Sequence, residues 1–522
     1  MPLPSSLCVR YGIPMSRSSA LPLLTILIVC SATLGGLLLS PSPTSWDDGL
    51  RHLTMARVMR AEGINQTWDR FLYGGYLSSH PIDPWFLADV SYIPFTGLQS
   101  ALALKLYSVL GLAALMLALW YVIAPLGLSS AVTSILLLLL VVPEGFYGRL
   151  LLGRPFVWST VFAVLALDAV MRRRWIALGI ILLIATLFSQ LFVFPLILAV
   201  CGVLWLLTLR ERAAARKASA AIIAGVAVGI ALHPHALAYV TYITTVFLRI
   251  PFEAHSLNLG TEMYPGLLSS VGPLAILGAL LLICAGAHVH GPRLNLKALH
   301  ANGTTLLAVL VAVSFLAYVF AWNRMIDVLL PLLILLAAYL LKHIEPFVRE
   351  LLSIRRLLPL FPRVQGRTLL CGAIIVLAST TIARASIDFR KSGENRSLTH
   401  TAILSDLPAG SRVLNPEWFY FPAFIHSNPT LRFATGIDNT FTAVENHEAY
   451  QLLDVTFSSA SIIPRPVVDT RAWIAQLLEH FPSDYLVLSN GWGKNLLPLL
   501  RETPGLTALT ESGSVVEVFA ID

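Results

Sequence analysis

The chain has 522 residues, of which 56% are hydrophobic and 12% charged, with a formal net charge of +7. A soluble domain carries about 25% charged residues, so these figures, with a mean hydropathy of +0.74, exclude an ordinary soluble enzyme and define a polytopic α-helical membrane protein. The positive charge is no nucleic-acid signal: residues 391–522 hold eight basic and 14 acidic side chains, and the basic excess sits mostly in short loops, where anionic lipid headgroups account for it.

Crossing a bilayer takes roughly 20 apolar residues. Apolar runs near 21–40, 101–124, 129–143, 156–171, 175–189, 191–209, 218–233, 267–287, 304–321, 326–341 and 368–384 predict about 11 transmembrane helices. The first run is long enough to span and is followed by many more, which predicts a retained helix rather than a cleaved signal peptide. With the N-terminus inside, the cytoplasmic stretches carry 17 basic and three acidic residues, against eight basic and nine acidic on the other side. That asymmetry predicts an N-in/C-out protein, with the loop 41–100 and everything beyond about 390 facing outward. Cys8, Cys30, Cys201, Cys284 and Cys371 all fall in the N-terminal tail or in spans, so neither a disulfide nor a thiolate metal site is expected.

The loop after the first span is rich in charge and aromatics. Ser45 is a helix cap with Asp48 three residues on, and Asp47 and Asp48 occupy a first turn where the helix dipole favours anions. The helix runs to about Glu62. Asp48 lies three residues before Arg51 and four before His52, so the three share one face. Asp83 followed by Pro84 signals a second surface helix through Trp85, Phe86 and Val90. The acidic residues have a plain alternative role as dipole-favoured first-turn and capping groups.

Further along, Glu144 stands on the second outward loop, and Arg154 follows in Gly-Arg-Pro. Asp168 precedes the Arg172 cluster by four residues, a spacing that predicts pairing or snorkelling at the cytoplasmic end. His233-Pro-His235 ends the seventh span, with spacing poorly suited to zinc and better suited to a phosphate or sugar contact, or to capping. The segment from Tyr239 to Pro265, containing Glu262, is long enough to fold over a cleft. Arg324 sits at the outer mouth of the tenth span, as a phosphate-binding group or as a snorkelling arginine paired with Asp327. Beyond 390, strands are predicted at Val413-Leu414, Leu431–Ala434 and Tyr485–Ser489. Helices are predicted at Arg471–His480 and Lys494–Arg501, and a hairpin at Leu506–Ile521. That pattern divides the chain into a membrane domain, 1–389, and a small extracytoplasmic α/β domain, 390–522.

This layout resembles the GT-C glycosyltransferases, among them protein O-mannosyltransferases, aminoarabinose transferases and the catalytic subunits of oligosaccharyltransferases. The shared features are a first helix, an outward loop that opens on an acidic pair and holds two surface helices, many spans, and an outward α/β domain. The resemblance implies transfer of a sugar from a polyprenyl phosphate or pyrophosphate lipid to a glycan, lipid or protein acceptor on the outer face of a cell membrane. It implies Asp47, with Asp48 beside it, as base or as metal and acceptor ligand. Arg51, His52, His233, His235 and Glu262 fall to the substrate, and Arg324 and Arg154 to the leaving phosphate. Asp47 and Glu144 are then the ligands for Mg²⁺ or Mn²⁺. The acidic-x-acidic spacing and the Trp-Trp-Asp motif of oligosaccharyltransferases are absent, which argues against protein N-glycosylation. Two competing readings are a transporter or flippase of lipid-linked glycans and a non-catalytic scaffold. The polar residues concentrate at the outer mouth rather than at a midplane, which favours chemistry.

Overall fold

The computed structural model describes residues 20–39, 48–250, 300–301, 303–320, 325–352, 398–437, 440–458, 469–489 and 496–522, with isolated helical residues between 372 and 387. Asp47, Glu262, Arg324 and the run expected near 267–287 lie outside the described residues, as does the side chain of Glu144.

The first apolar run forms α1 (Ala20–Leu38), and the outward loop supplies α2 (Asp48–Glu62), the single turn α3 (Tyr76–Ser79) and α4 (Phe86–Tyr92). The bundle continues through α5 (Ser100–Ile123), α6 (Ser130–Leu138), α7 (Glu144–Leu150), α8 (Phe156–Met171), α9 (Trp175–Phe188), α10 (Val193–Thr208), α11 (Arg212–Leu232) and α12 (Ala236–Thr244). Two more helices follow, α13 (Thr304–Phe320) and α14 (Ile326–Leu352). These fall on the apolar runs because each run buries one side against neighbours and turns the other outward. Leu27, Leu204 and Ile223 are more than half exposed on that outer side, as lipid-facing residues are. Four of the described helices, Ala20–Leu38, Ser100–Leu126, Gln190–Thr208 and Arg212–Leu232, are long and apolar enough to cross a membrane.

The bundle packs closely through small residues. A Cβ at Gly225 of α11 would lie 2.4 Å from the Gly179 carbonyl of α9, and one at Gly229 would lie 2.9 Å from the Leu183 carbonyl. Backbone approach of this kind lets apolar helices gain packing where water supplies no driving force between them. Asp168 pairs with Arg172 at 2.5 Å, as its spacing predicts.

One expectation is corrected. The described part of the segment from Tyr239, up to Ile250, is not a loop: α12 continues as a π-turn, Thr245–Arg249, and Tyr239 and Tyr242 are fully buried, while the rest to Pro265 lies outside the described residues. Tyr239, Tyr242 and Val246, three and four positions apart, gave it a helical face that loop length alone concealed.

The C-terminal residues form a five-stranded sheet in the order β2-β1-β3-β5-β4. Its strands are β1 (Arg412–Leu414), β2 (Arg432–Phe433), β3 (Tyr485–Ser489), β4 (Leu506–Ala508) and β5 (Val516–Ile521). β1 runs parallel to β2 and β3, while β5 is antiparallel to β3 and β4, closing the expected hairpin. Helix α15 (Phe421–Ser427) makes the crossover from β1 to β2.

The sheet does not stand apart from the first outward loop. Leu72 bridges to Phe433 beyond β2, and the Phe433 amide donates to the Phe71 carbonyl at 2.8 Å. Arg432 donates to the carbonyls of Asp69 and Leu72. Trp68, Phe71 and Leu53 from the loop share one core with Phe421, Phe424, Phe433 and Val518. His426 of α15 completes the joint, with Nδ1 2.9 Å from Thr54 Oγ1 and Nε2 2.9 Å from Ser100 Oγ. Helix α2 is thus held from below by the bundle and from above by the sheet.

Candidate functional site

Helix α2 carries an acidic residue in its first turn and Arg60 in its last, matching its dipole at both ends. Leu50, Leu53, Met55, Ala56 and Met59 bury most of its first three turns between the two halves, while Arg60 to Glu62 are exposed. Its entry is set by glycine. A Cβ at Gly49 would lie 2.9 Å from the Leu152 carbonyl, and Gly153, at φ +66°, has no room for a side chain against the Tyr92 hydroxyl. The Tyr92 hydroxyl donates to the Gly153 carbonyl at 2.5 Å. This approach of two backbones places Arg154 beside the start of α2.

Asp48 therefore stands between two guanidinium groups, 3.2 Å from Arg51 Nε and 3.9 Å from Arg154 Nε. Its side chain is 29% exposed, whereas that of Arg51 is 3% exposed. Arg51 lies over the Trp85 ring at 4.1 Å and the Trp68 ring at 5.5 Å, a stacking that a planar, weakly hydrated cation makes well. A partly exposed carboxylate next to two cations can take a proton from a hydroxyl while the cations face a leaving anion.

His52 does not reach this mouth. It is fully buried, and its Nδ1 is hydrogen-bonded to Asp89 Oδ1. Burial, with Arg51 close by, holds its imidazole well below the usual range. Asp83 sits just ahead of α4, where its Oδ1 accepts from the Trp85 amide and from Trp68 Nε1, each at 3.0 Å. The helix itself begins at Phe86, so Asp83 caps the turn before it. Burial pushes the Asp83 carboxyl up to about 6. Burial and the neighbouring Asp83 push Asp89 well above the usual carboxylate range.

His233 is also taken up structurally. Its Nε2 donates to the Asp83 carbonyl at 3.0 Å, its Nδ1 accepts from the His235 amide at 3.1 Å, and its ring stacks on Tyr239 at 4.3 Å. Both bonds require the neutral ring, and burial lowers its pKa to about 4. His235 is half-buried, and its Nε2 has no hydrogen-bond partner.

Asp327, the pairing alternative read for Arg324, meets Arg149, and Arg324 itself lies outside the described residues. Arg149, at the end of α7, grips both Asp327 oxygens at 2.9 and 2.7 Å and lies 5.0 Å over Phe156. Among the described residues no three His, Cys, Asp or Glu side chains gather into a metal-binding group.

Sequence reasoning missed Asp89, Arg149 and the paired glycines. Asp89 resembles an ordinary surface-helix acid, and nothing local in the sequence shows that its face is covered. The Gly-Arg-Pro at 153–155 was visible, but its pairing with Gly49 joins positions 104 residues apart.

The fold is similar to those of solved GT-C glycosyltransferases. The oligosaccharyltransferase of Archaeoglobus fulgidus in its apo form is similar over 96% of this chain and 74% of its own, with 12% identity and a TM-score of 0.59. ArnT from Cupriavidus metallidurans is similar over 97% of this chain and 98% of its own, with 13% identity and a TM-score of 0.57. The first has also been solved with an inhibitory peptide and a dolichol-phosphate, and the second bound to undecaprenyl phosphate. No protein-family model and no curated protein matches the chain.

Proposed function

We propose that this protein transfers a sugar from a polyprenyl-phosphate or pyrophosphate lipid to an acceptor on the outer face of a cell membrane. The observation that carries this reading is the Asp48 carboxylate, part-exposed at the N-terminus of a helix whose following turns are mostly buried, and flanked by Arg51 and Arg154. The likeness to ArnT and to the archaeal oligosaccharyltransferase supports it at the level of the fold.

In this reading an acceptor hydroxyl attacks the anomeric carbon, and the bond from that carbon to the phosphate oxygen breaks. The phosphate leaves with the electron pair, and the acceptor proton passes to the acidic pair that opens α2. Asp47 is the first choice for that base, and Asp48 orients the acceptor or shares the role. Arg154, with Arg324, stabilises the leaving phosphate. Mg²⁺ or Mn²⁺ would be held by Asp47 and Glu144 and would add positive charge beside the phosphate; no step above runs through it. Glu262 and His235 are left to the acceptor side, and the C-terminal α/β part shapes acceptor entry. A transporter of lipid-linked glycans is the second reading, favoured only by the lipid-binding fold.

The test is mass spectrometry of envelope glycans and lipid-linked sugars from cells with the wild-type protein, a deletion, Asp47→Asn and Asp48→Asn at matched expression. Transferase activity predicts that deletion and at least one of the two variants remove the same glycan decoration while its lipid donor accumulates. A glycan change on deletion that neither variant reproduces would overturn the enzyme reading in favour of transport.

A further inference from the structure

Behind Asp48 lies a polar cluster that the transfer chemistry does not use. Arg51, His52, Asp83 and Asp89 are each no more than 2% exposed. Five of their atoms stand out: Asp83 Oδ2, Asp89 Oδ2, His52 Nε2, Arg51 Nη1 and Arg51 Nε are buried without a hydrogen-bond partner among the described residues, Nε meeting Asp48 only as an ion pair. An orphaned buried polar atom costs about 1–3 kcal/mol, so a cluster of them implies a proton or group that the heavy atoms alone do not display.

The two orphaned carboxyl oxygens belong to acids held on the same residue, Asp83 Oδ1 accepting from the Trp85 amide and the Asp89 amide donating to the Trp85 carbonyl at 2.9 Å, and each acid shifts the other. Two adjacent carboxylates sealed from water do not both ionise. One proton placed between them satisfies both oxygens at once. The donors decide which partner keeps the charge: Asp83 Oδ1 receives two N–H groups, whereas Asp89 Oδ1 meets only His52 Nδ1. His52 Nδ1–H therefore donates to Asp89, Asp89 donates to Asp83, and Asp83 carries the charge. That single charge balances the one cation sealed in with it, Arg51, and leaves the cluster neutral.

We infer that Asp83 and Asp89 share one buried proton, and that the resulting single negative charge fixes Arg51 and, through it, the carboxylate of Asp48. Asp83 and Asp89 are thus positioning residues. Their effect on transfer rests on the function proposed above; the shared proton does not. The other groups facing the pair are Arg51 and Asp48 from α2, with Arg154 beside them, Tyr107 from α5, and His233 and Tyr239 from the α11–α12 corner. None of these donates a hydrogen bond to Asp83 Oδ2 or Asp89 Oδ2 among the described residues.

Infrared difference spectroscopy on the full chain in detergent at neutral pH tests this, with Asp83→Asn, Asp89→Asn and the double variant. The expected result is a protonated-carboxyl carbonyl band in the wild type that disappears in either single variant, because the remaining acid must ionise against Arg51. Both single variants should stay folded, and the double variant should lose more thermal stability than the two single losses combined, since Arg51 is then left with only the part-exposed Asp48 as counter-charge. No wild-type band changed by either variant would mean two ionised acids and overturn the inference. A band lost by half in each variant would mean two separate neutral acids and overturn it equally. The catalytic link is read separately: wild-type transfer should fall on the alkaline side as the shared proton leaves, and Asp89→Asn should abolish that limb. If the glycan comparison fails while the band pattern holds, only the catalytic link falls.

Discussion

The membrane bundle and the outer body solve opposite packing problems. Between α9 and α11 the closest approaches are made by glycine against backbone, with no polar side chain required. Around α2, by contrast, charged groups are buried deliberately, each held by partners drawn from the loop, the bundle and the sheet. The bundle minimises what it must satisfy, since lipid offers no hydrogen bonds. The outer body accepts the cost of buried charge and in return places one carboxylate, Asp48, at a defined point between two arginines.

Breaking the outer body at its charged mouth should have the largest effect. Asp48→Asn is expected to lower transfer about 10²–10⁴-fold while the protein still purifies as a folded monodisperse species, measured by quantifying the glycan product. Breaking the bundle should cost stability instead. Gly225→Val drives a side chain into the Gly179 carbonyl and is expected to cost up to about 3 kcal/mol, seen as a lower thermal midpoint in detergent. Gly145→Ala, where no atom lies within 4 Å of the added Cβ, is the matched control and should leave the midpoint unchanged.

Trp68→Phe sharpens the comparison within the outer body. It keeps the ring but removes the Nε1–H bond to Asp83, and should cost about 2 kcal/mol by the same thermal measurement.

The joint between the halves is tested by pH. His426 is bonded through both ring nitrogens to Thr54 and Ser100, and burial lowers its pKa to about 4. A histidine with a depressed folded pKa binds its proton more readily when unfolded. Its contribution is therefore full above its ordinary value of 6.5 and is lost as pH falls from there toward 4. His426→Gln should flatten that part of the midpoint-against-pH curve relative to wild type; an unchanged slope would mean that the clamp contributes nothing.

The smallest effect belongs to the exposed pair Glu62–Arg70, 2.8 Å apart with side chains 53% and 28% exposed. Solvent screens such a pair, so Glu62→Gln should change stability by less than about 0.5 kcal/mol.

Much of the fold was legible in the sequence. The apolar runs at 101–124, 156–171 and 175–189 each became one helix within a residue or two, because hydropathy acts on each segment independently of its neighbours. The strand at 485–489 and the terminal hairpin were equally local, carried by β-branched and apolar alternation around a turn. Of the site, the Asp48–Arg51 pair was legible because helical spacing alone brings the two side chains together. His52 shared that spacing yet turned to Asp89, since a partner supplied by α4 gives a buried ring a bond that a part-exposed Asp48 does not.

The sequence by itself determined that this is a membrane protein, where most of its helices lie, and that an acidic turn opens the helix after the first span. Those properties are sums over contiguous residues, of hydropathy, charge or helical period. Only the tertiary structure decided that Arg154 stands at Asp48, that Arg149 grips Asp327, and that loop and sheet share one core. Each of those contacts joins residues from about 100 to more than 350 positions apart. Their formation depends on which backbones can approach closely and which charges find a partner once water is excluded, and no local pattern in the chain encodes either.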